Sequence, residues 1–523
     1  MCGILVDLSG ENTSKFDVAL STMMHRGPDA SGLDVVFGAS LGHRRLSIID
    51  LGNQSDQPFK SDDGNLMLVY NGEIYNYKEL TKKYGLECKT GSDTEVLLKL
   101  YERFGVACLD ELNGMFAFVI LHKDSGKIFA ARDRLGIKPL YIDRRCDALV
   151  FSSEIRALLE INGDIDWDIE GLRQYIKLRA CMGKRTIYKN IEMLPAGHYF
   201  EDGKLICYWQ LPEGEQVAPD EEELRELVID AIQIRRVSDV PVGSYLSGGL
   251  DSTIVAGVAK VNDVWSVGFE GHNEFEYSEL AAHAFGLEHH GCLVTKEEFL
   301  STAKTMIEQR GEPLSVPNEV LIYLMTKQVK KKNTVVLSGE GADELFFGYD
   351  RIFRWAAESE NFCLREFDKA YCYGSHQDDE IIDAALGRKS GERTITSVAR
   401  FFQTKHLHGL LRRLDNSTML ASVEARVPFV DHRVIEKLAG VSADYRMKNS
   451  GEYVVKAPLK RMFNDLIPEA IIERKKVGFP VPLSEIFGFK ISNGKTFMDE
   501  WLRFNLKSLT GDNHLYSDVI NSI

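Results

Sequence analysis

A cysteine lies directly after the initiator methionine, at position 2 of the chain. If Met1 is removed, Cys2 carries a thiol and a free α-amine on one residue, and such an amine titrates near pH ~7.7–8.0. A thiolate is a strong nucleophile, and a neighbouring base activates it. Cys2 is therefore a candidate catalytic residue that supplies both nucleophile and base, although a cysteine also occurs at this position by chance.

A glycine-rich run, SGGLDS at Ser247–Ser252, follows a predicted strand and begins a predicted helix. Glycines allow backbone N–H groups to approach an anion, and a helix N-terminus adds a favourable partial charge. The run lacks the lysine of a P-loop and the glycine spacing of a dinucleotide fingerprint. It resembles the pyrophosphate loop of ATP pyrophosphatases, and the alternative is a glycine-rich turn without a ligand.

A second polar loop, SGEGADE at Ser338–Glu344, follows another predicted strand. Mg²⁺ prefers oxygen ligands and shares them with phosphates, so we predict Asp251 and Asp343 as its ligands. Glu340 is the candidate base that takes a proton from attacking ammonia. Lys476 is a candidate for neutralising charge on the reacting phosphate. Taken alone, the loop is typical of a solvated acidic turn and Lys476 of a surface lysine.

The bulk composition is that of an ordinary globular chain with two domains. A chain of 523 residues exceeds the size at which one core usually divides, and 44% hydrophobic with 27% charged residues is typical of globular proteins. The net charge of -15 argues against a nucleic-acid partner. The nine cysteines have no paired spacing, which favours a reduced, cytoplasmic protein without a zinc cluster. No signal peptide or membrane-spanning run is visible, so we expect no membrane partner.

The first part of the chain, 1–210, reads mainly as short strands and turns. The predicted strands are Ile4–Leu8, Leu66–Tyr70, Met115–Leu121, Lys127–Arg132 and Leu149–Ser152. The run Asp124–Gly126 predicts a hairpin turn, and Thr94–Phe104 is the clearest predicted helix. This mixture predicts an N-terminal α/β domain with antiparallel sheet.

The composition changes at Leu211–Glu215, the run LPEGE, which we predict as the linker to a second domain, 211–523. Strand, loop and helix then alternate, and the chain beyond about Tyr349 reads mainly helical. This alternation predicts a doubly wound parallel sheet, whose ligands bind at the carboxyl ends of the strands. The predicted strands are Val242–Leu246, Val264–Val267 and Thr334–Leu337. The predicted ATP contacts at their ends are Leu246, Ser247, Gly248, Gly249, Asp251, Ser252, Val267, Ser338 and Gly339.

Six further motifs are spread along the chain in order. They are HRGPD (25–29), HRRLS (43–47), YNGEIYN (70–76), GSDTE (91–95), RDRLG (132–136) and VEARVPF (423–429). Together with Cys2 and the two loops, this set resembles the glutamine-hydrolysing asparagine synthetase family over nearly the whole chain. The resemblance implies a two-domain α/β protein. Its N-terminal part would be an Ntn-hydrolase αββα sandwich of class II glutamine amidotransferase type. Its C-terminal part would be a doubly wound parallel α/β domain of ATP pyrophosphatase type with a helical C-terminal extension.

The resemblance implies a glutaminase reaction at the start of the chain. Cys2 would attack the side-chain amide of glutamine, with its own amine moving the proton. Asn71 and Gly72 would hold the oxygen of the tetrahedral intermediate, and losing one such donor typically costs ~10²–10³ in rate. The sequence Asn-Gly is also the strongest signal for a hairpin turn, which is the alternative for Asn71-Gly72.

The same resemblance assigns three charged residues to the glutamine backbone. Arg45 suits the α-carboxylate, because a guanidinium donates two parallel hydrogen bonds to a carboxylate. Asp93 and Glu73 suit the α-ammonium group. Without the resemblance, Arg45 and Asp93 would be interpreted as ordinary surface charges.

The implied overall reaction needs ATP and Mg²⁺, because a carboxylate is a poor electrophile toward ammonia. Transfer of the acceptor carboxylate to AMP would release pyrophosphate, and ammonia freed at Cys2 would then displace AMP. The expected substrates are glutamine, ATP and most simply L-aspartate. A shielded passage between the domains would keep ammonia neutral and concentrated. The resemblance also suggests a homodimer.

Three departures from the family pattern leave the acceptor open. Phe347 replaces a usual glycine, Gly291 stands where an acidic residue is common, and the stretch Glu312–Asn318 differs from the usual pattern. One alternative is therefore amidation of a uronic acid in a surface polysaccharide precursor, or of another carboxylate. Others are ring closure without glutamine, as in β-lactam-forming relatives, and a non-catalytic scaffold. The complete glutaminase motifs argue against ring closure, and the completeness of both sites argues against a scaffold.

Overall fold

The computed structural model describes residues 2–10, 13–145, 149–474, 481–488, 497–512 and 514–522. The chain forms two α/β domains, one built on two antiparallel sheets and the other on a parallel sheet. None of the helices within these ranges is long and apolar enough to cross a membrane.

The N-terminal domain contains twelve strands in the described residues. They are β1 (Gly3–Asp7), β2 (Ala30–Val36), β3 (Ala39–Arg45), β4 (Phe59–Lys60), β5 (Leu66–Ile74), β6 (Gly114–His122), β7 (Ile128–Arg132), β8 (Tyr141–Asp143), β9 (Val150–Ser152), β10 (Ile191–Met193), β11 (His198–Glu201) and β12 (Lys204–Cys207). One sheet has the order β10-β8-β9-β1-β3-β2 and the other β12-β11-β7-β6-β5-β4. All five predicted strands are confirmed, and the predicted turn at Asp124–Gly126 joins β6 to β7.

The two sheets pack face to face between layers of helix. Alternate apolar residues of both sheets, including Ile4, Leu41, Val69 and Val119, form the central core. The helices are α1 (Thr13–Thr22), α2 (Tyr77–Tyr84), α3 (Asp93–Phe104), α4 (Cys108–Glu111), α5 (Ile155–Asn162) and α6 (Ile169–Leu178). Helices α1, α5 and α6 cover the first sheet, and α2, α3 and α4 cover the second. The predicted αββα order is therefore confirmed.

The C-terminal domain is built on one sheet of five parallel strands. Its strands are β13 (Val242–Tyr245), β14 (Asp263–Phe269), β15 (Glu288–Val294), β16 (Val335–Leu337) and β17 (Glu424–Arg426), with a separate hairpin of β18 (Lys448–Asn449) and β19 (Glu452–Tyr453). The order is β15-β14-β13-β16-β17. The chain therefore reverses its winding between β13 and β16, which opens a crevice at their carboxyl ends. Both predicted polar loops start at this crevice.

Helices surround this sheet and form the extension. They are α7 (Glu221–Ile234), α8 (Leu250–Ala259), α9 (Phe275–Phe285), α10 (Lys296–Arg310), α11 (Asn318–Val329), α12 (Ala342–Phe346), α13 (Asp350–Glu358), α14 (Leu364–Tyr371), α15 (Asp379–Leu386), α16 (Thr394–Phe401), α17 (Leu407–Met419), α18 (His432–Leu438), α19 (Ala443–Met447), α20 (Ala457–Met462), α21 (Glu469–Ile472), α22 (Leu483–Phe487), α23 (Phe497–Thr510) and α24 (Leu515–Asn521). The predicted parallel sheet and helical extension are confirmed. Helix α17 runs between the sheet and the N-terminal domain, and α23 and α24 pack on the N-terminal helices.

Candidate active sites

A cavity beside Cys2 is lined by residues from three elements of the N-terminal domain and from the loops between them. Cys2 is buried immediately before β1. Arg45 ends β3, Glu73 lies in β5, and Asp93 is the first residue of α3, so three elements present charged groups to one space. Gly72 also lines this cavity. The structure thus brings together the predicted glutaminase residues, although up to 91 positions separate them along the chain.

Asn71 is held against Cys2 by a single hydrogen bond. The backbone N–H of Cys2 donates to Asn71 Oδ1 over 2.9 Å. This contact points the amide nitrogen away from Cys2 N, and Asn71 Nδ2 is buried without a hydrogen-bond partner among the described residues. An unused buried donor is costly, so this amide is suited to an incoming oxygen.

Gly72 lies inside β5, opposite Phe116 of β6. A Cβ on Gly72 would lie 2.2 Å from the carbonyl oxygen of Met115, so no side chain fits. The alternative interpretation of Asn71-Gly72 as a hairpin turn is therefore wrong, because both residues continue a nine-residue strand. The missing side chain lets the strand backbone form one wall of the cavity.

Arg45 is held rigidly by the loop that follows β3. Its Nη1 donates to the carbonyl oxygen of Gly52 and to Asp56 Oδ1, both over 2.7 Å. Its Nη2 donates to the carbonyl oxygen of Asp50. The side chain is buried on the wall of the Cys2 cavity. A guanidinium anchored in this way presents a fixed cation, which suits a carboxylate.

Glu73 and Asp93 form an acidic wall of the same cavity. Burial, followed by the charges of nearby carboxylates, raises the pKa of Glu73 well above its usual value. Burial likewise raises the pKa of Asp93, whose Oδ2 accepts from the Tyr70 hydroxyl and from the N–H of Ile74, each over 2.9 Å. Glu73 Oε2 has no hydrogen-bond partner in the described chain. Two such carboxylates favour a cationic ligand, because a nearby positive charge lowers both pKa values.

The second site lies at the crevice between β13 and β16. The hydroxyls of Ser247 and Ser252 lie 3.0 Å apart and close the first loop. Gly248 has a φ of +72°, and a Cβ there would lie 2.6 Å from Tyr277 Cβ. A Cβ on Gly339 would lie 2.9 Å from the N–H nitrogen of Ser252, so the second loop packs directly on the first. The glycines therefore permit two backbone loops to meet at the start of α8, where an anion is favoured.

A largely apolar slot adjoins the first loop at the carboxyl ends of β13 and β14. Of the predicted ATP contacts, Leu246, Ser247 and Val267 line it. Phe275 and Met325 also line it, and the sequence analysis missed both because they come from α9 and α11 rather than from a glycine-rich loop. A narrow apolar slot beside an anion-binding loop fits a flat heterocycle linked to phosphates.

Lys456 lies between the two aspartates predicted to bind metal. Its Nζ forms ion pairs with Asp251 and with Asp343 Oδ1, the latter over 2.6 Å. Burial lowers the pKa of Lys456, but the two carboxylates outweigh burial and raise it. The sequence analysis missed Lys456, since it lies more than 100 positions from either loop. The predicted residue Lys476 lies outside the described residues.

Glu340 is held by an arginine from α17. Arg413 Nη2 donates to Glu340 Oε1 over 2.6 Å, and its Nη1 donates to Asn318 Oδ1 over 3.4 Å. Arg413 is almost fully buried, and its Nε has no hydrogen-bond partner in the described part of the chain. The predicted base is thus oriented toward the domain interface by a residue that no sequence motif identified.

A third cavity adjoins Arg413 where α6, α10 and α17 approach one another. Four arginines and two glutamates line it, Arg179, Arg310, Arg412, Arg413, Glu312 and Glu319. Pro313 and Ser315, from the stretch that departs from the family pattern, line it too. Arg310 pairs with Glu319, Arg412 with Glu312 and Arg413 with Glu340. Groups of both signs therefore surround this cavity, which suits a ligand that carries carboxylates and an ammonium group.

The other two departures have structural explanations. Phe347 adopts a left-handed conformation with φ +57°, which a glycine would adopt more easily. Its ring stacks on Phe353 with centroids 4.1 Å apart, and Arg446 covers the Phe347 ring at 4.3 Å. A Cβ on Gly291 would lie 3.2 Å from the Phe275 ring, which lines the apolar slot.

The buried carboxyl of Glu344 makes stability depend on pH. Burial, with Asp343 and Glu340 nearby, raises the pKa of Glu344 to about 8, whereas an unfolded glutamate titrates near 4.5. The folded chain therefore binds the extra proton between these values, and this contribution to stability is lost as pH rises through that window. We expect Glu344→Gln to raise the melting temperature of the C-terminal domain by roughly 2–5 °C at pH 8.5 and by less at pH 5.5.

Thermal unfolding of both proteins at the two pH values checks this expectation. Glu366→Gln is the matched control, because Glu366 is exposed on α14 and its removal should change neither melting temperature appreciably. An equal shift at both pH values for Glu344→Gln would show that the carboxyl is ionised throughout.

Comparisons with known proteins identify the family to which the chain belongs. A model of the glutamine amidotransferase domain matches residues 1–209, and a model of asparagine synthase matches residues 223–505. Asparagine synthetase [glutamine-hydrolyzing] 1 of Bacillus subtilis is 30% identical, over 95% of this chain and 87% of that protein. A putative asparagine synthetase [glutamine-hydrolyzing] 2 of Methanocaldococcus jannaschii is 36% identical, over 67% of this chain and 76% of that protein.

Among solved structures, the glutamine phosphoribosylpyrophosphate amidotransferase of B. subtilis overlaps 55% of this chain and 65% of its own, with 18% identity and a TM-score of 0.32. The two family models together span both domains. The chain therefore belongs to the glutamine-hydrolysing asparagine synthetase family and is an ATP-dependent, glutamine-hydrolysing ligase.

Proposed function

We propose that the acceptor of this ligase is L-aspartate. The overall reaction converts L-aspartate, L-glutamine, ATP and water into L-asparagine, L-glutamate, AMP and pyrophosphate. The arginine-lined cavity beside Glu340 is the observation that carries this choice. Aspartate offers a second carboxylate and an ammonium group besides the carboxylate that reacts, whereas a uronic acid offers hydroxyls.

In the glutaminase step, Cys2 acts as the nucleophile toward the side-chain amide carbon of glutamine. Arg45 holds the α-carboxylate of glutamine, while Glu73 and Asp93 hold its α-ammonium. The developing oxygen anion accepts hydrogen bonds from Asn71 Nδ2, which has no other partner among described residues, and from the backbone N–H of Gly72. Once Met1 is removed, the free Cys2 α-amine takes the proton of the thiol and delivers it to the leaving nitrogen. Ammonia leaves as the intermediate collapses to the thioester, and water then hydrolyses the thioester to glutamate and restores the thiol.

In the synthetase step, an acceptor carboxylate oxygen attacks the α-phosphorus of ATP and pyrophosphate leaves. The loop Ser247–Ser252 binds the pyrophosphate through backbone N–H groups, and the slot beside Val267 binds the adenine. The Lys456 ammonium lies at this crevice, beside Asp251 and Asp343. From there it neutralises negative charge that develops on the phosphate.

The residues at this crevice also fit Mg²⁺. Asp251 and Asp343 lie on facing loops and both contact the Lys456 ammonium, so the two carboxylates lie close enough together to share a second cation beside Lys456. Hard oxygen donors from two carboxylates, completed by phosphates and water, are the ligands that Mg²⁺ prefers. Bound there, Mg²⁺ would neutralise charge on the leaving pyrophosphate.

Ammonia then attacks the acyl carbon of the adenylate. Glu340 takes a proton from the attacking nitrogen, and AMP leaves with the former carboxylate oxygen. Arg413 orients Glu340 and also lines the arginine-lined cavity, so one residue connects the base to the acceptor's second carboxylate. This shared contact supports an acceptor with two carboxylates.

Amide formation measured over a panel of carboxylic acids tests the acceptor. With glutamine, ATP and Mg²⁺ present, we expect amide product and stoichiometric pyrophosphate from aspartate, and at most about 1% of that rate from glucuronate or succinate. Succinate is the matched control, since it differs from aspartate only by the missing ammonium group. Efficient amidation of a uronic acid with no asparagine formed would overturn aspartate as the acceptor.

A further inference from the structure

The carbonyl group of Cys2 is held by an arginine with three partners. Arg26 Nε donates to the Cys2 carbonyl oxygen over 3.0 Å, and its Nη1 donates to Glu154 Oε1 over 3.0 Å. Its Nη2 donates to Asp415 Oδ2 over 2.9 Å. Arg26 is 0% exposed, so no water competes for these hydrogen bonds. Two of the three partners belong to the N-terminal domain, but Asp415 belongs to α17 of the C-terminal domain.

Asp415 has a second cationic partner in the N-terminal domain. Lys138 Nζ lies 3.1 Å from Asp415 Oδ1, and both side chains are at most 2% exposed. Burial raises the pKa of Asp415, but Arg26 and Lys138 outweigh burial and hold that pKa below its usual value. Without Asp415, Lys138 would lose this carboxylate and Arg26 would keep Glu154 as its carboxylate partner, so two cations would share one carboxylate. Uncompensated buried charge is strongly unfavourable, so this cluster needs the domains to be joined.

The same helix also holds the base of the other active site. Arg413 lies two residues before Asp415 on α17 and donates to Glu340 Oε1 over 2.6 Å. Residues two apart on a helix point in widely different directions. Asp415 can therefore contact the glutaminase domain while Arg413 contacts Glu340. A further contact joins the domains nearby, where the Ser422 hydroxyl donates to the His25 carbonyl oxygen over 2.5 Å.

We propose that Asp415 is a positioning residue for the glutaminase reaction. Through Arg26 it fixes the main chain of Cys2, so the glutaminase site is complete only when the C-terminal domain is docked against it. Helix α17 thereby ties the position of the nucleophile to the position of Glu340. The proposal rests on Cys2 being the glutaminase nucleophile, as proposed above, but not on the identity of the acceptor.

The geometry predicts which kinetic constant changes. The Cys2 carbonyl carbon is bonded to the Cα atom that carries both the thiol side chain and the amine. A small shift of this backbone therefore displaces nucleophile and base together, and a displacement of about 1 Å can cost ~10² in rate. Arg45, Glu73 and Asp93, which would bind the glutamine backbone, do not contact Asp415. The glutaminase kcat should fall while the KM for glutamine stays nearly constant.

Asp415→Asn in the full-length protein tests the proposal, because it removes the charge and retains the shape. We expect the glutaminase kcat to fall about 10–100-fold with the KM for glutamine changed less than about two-fold. The informative quantity is the ratio of glutaminase kcat to ammonia-driven synthesis kcat. Both rates come from the same folded molecules, so partial unfolding lowers them equally and leaves the ratio unchanged.

Asp378→Asn is the matched control. Asp378 is buried and forms another interdomain ion pair, with Arg173 Nε and Nη2 at 3.0 and 2.8 Å, and Arg26 is not among its partners in the described residues. A ratio lowered at least ten-fold by Asp415→Asn and unchanged by Asp378→Asn supports the proposal. Equal ratios in both variants would overturn it and leave Asp415 a purely structural residue.

A second variant decides the matter if Asp415→Asn does not fold. Asp415→Glu keeps the charge and adds one methylene, which displaces Arg26 in a site without free space. The proposal expects the ratio to fall at least three-fold in this variant, and an unchanged ratio would contradict it. If no acid is amidated by the wild-type protein, glutamate release per folded chain replaces the ratio. Failure of the acceptor assignment is thus distinguished from failure of this proposal.

Discussion

Replacing Cys2 by alanine is expected to lower glutamine-dependent amide synthesis by at least about 10³-fold, because no other group in the cavity can form the thioester. Ammonia-driven synthesis should remain within about three-fold of the wild-type rate. The reason is structural: Cys2 lies in the N-terminal sandwich, whereas Glu340, Lys456 and the two loops lie at the C-terminal crevice. Initial rates of pyrophosphate release with glutamine and with ammonium chloride measure both quantities.

Cys207→Ala is the control for the first prediction. Cys207 is an exposed residue at the end of β12, so its loss should change neither rate. Retention of glutamine-dependent synthesis in Cys2→Ala would exclude Cys2 as the nucleophile. Loss of both activities in a fully folded variant would instead show that the two sites are not separable.

Lys456→Met is expected to impair amide synthesis and to spare glutamine hydrolysis, the reverse of the effect expected for Cys2→Ala. Loss of the ammonium between Asp251 and Asp343 should lower synthesis from glutamine and from ammonia alike, by about 10²–10³-fold, because a preorganised charge at the reacting phosphate is lost. Glutamate release at Cys2 should stay within about three-fold. The variant also takes this cation from two partly buried carboxylates, 18% and 21% exposed, so we expect it to be less stable than the wild type.

Lys460→Met is the control for this prediction, because it removes a nearby lysine charge from α20 and leaves the charge at the crevice in place. Lys460 lies one turn further along α20, is half-buried, and forms no ion pair with the two aspartates. Its replacement should leave both synthesis rates within about two-fold. Parallel thermal melts of the two variants report the folded fraction. Normal ammonia-driven synthesis in folded Lys456→Met would remove Lys456 from the proposed mechanism.

Short sequence motifs were enough to predict the two polar loops and the candidate nucleophile. The loops Ser247–Ser252 and Ser338–Glu344 follow short apolar strands, and the alternation of strand, loop and helix predicted the parallel sheet. Cys2 was identifiable because its position next to Met1 is itself the signal. Among the N-terminal helices only α3 was clearly predicted, since α1, α5 and α6 have short apolar faces that become evident only against a sheet.

Side-chain contacts between residues far apart in the sequence could not be predicted from the sequence. Arg26 and Asp415 are 389 positions apart, and Arg413 and Glu340 are 73 apart. Taken alone in the sequence, each of these charged residues looks like a solvent-exposed surface residue. Its role becomes visible only when the fold buries it beside its partner. Lys456 illustrates the same limit, because nothing in its neighbours distinguishes it from Lys460 until the fold places it between two carboxylates.

An isotope experiment that follows the amide nitrogen of glutamine into asparagine tests the central claim most directly. The protein would be supplied with [amide-¹⁵N]glutamine, ATP, Mg²⁺ and aspartate in the presence of a ten-fold excess of unlabelled ammonium. If nitrogen freed at Cys2 passes within the same chain to the adenylate at the crevice, most of the asparagine formed will carry ¹⁵N. Asparagine with the isotopic composition of the bulk ammonium would show that the two sites work independently, and would contradict this account.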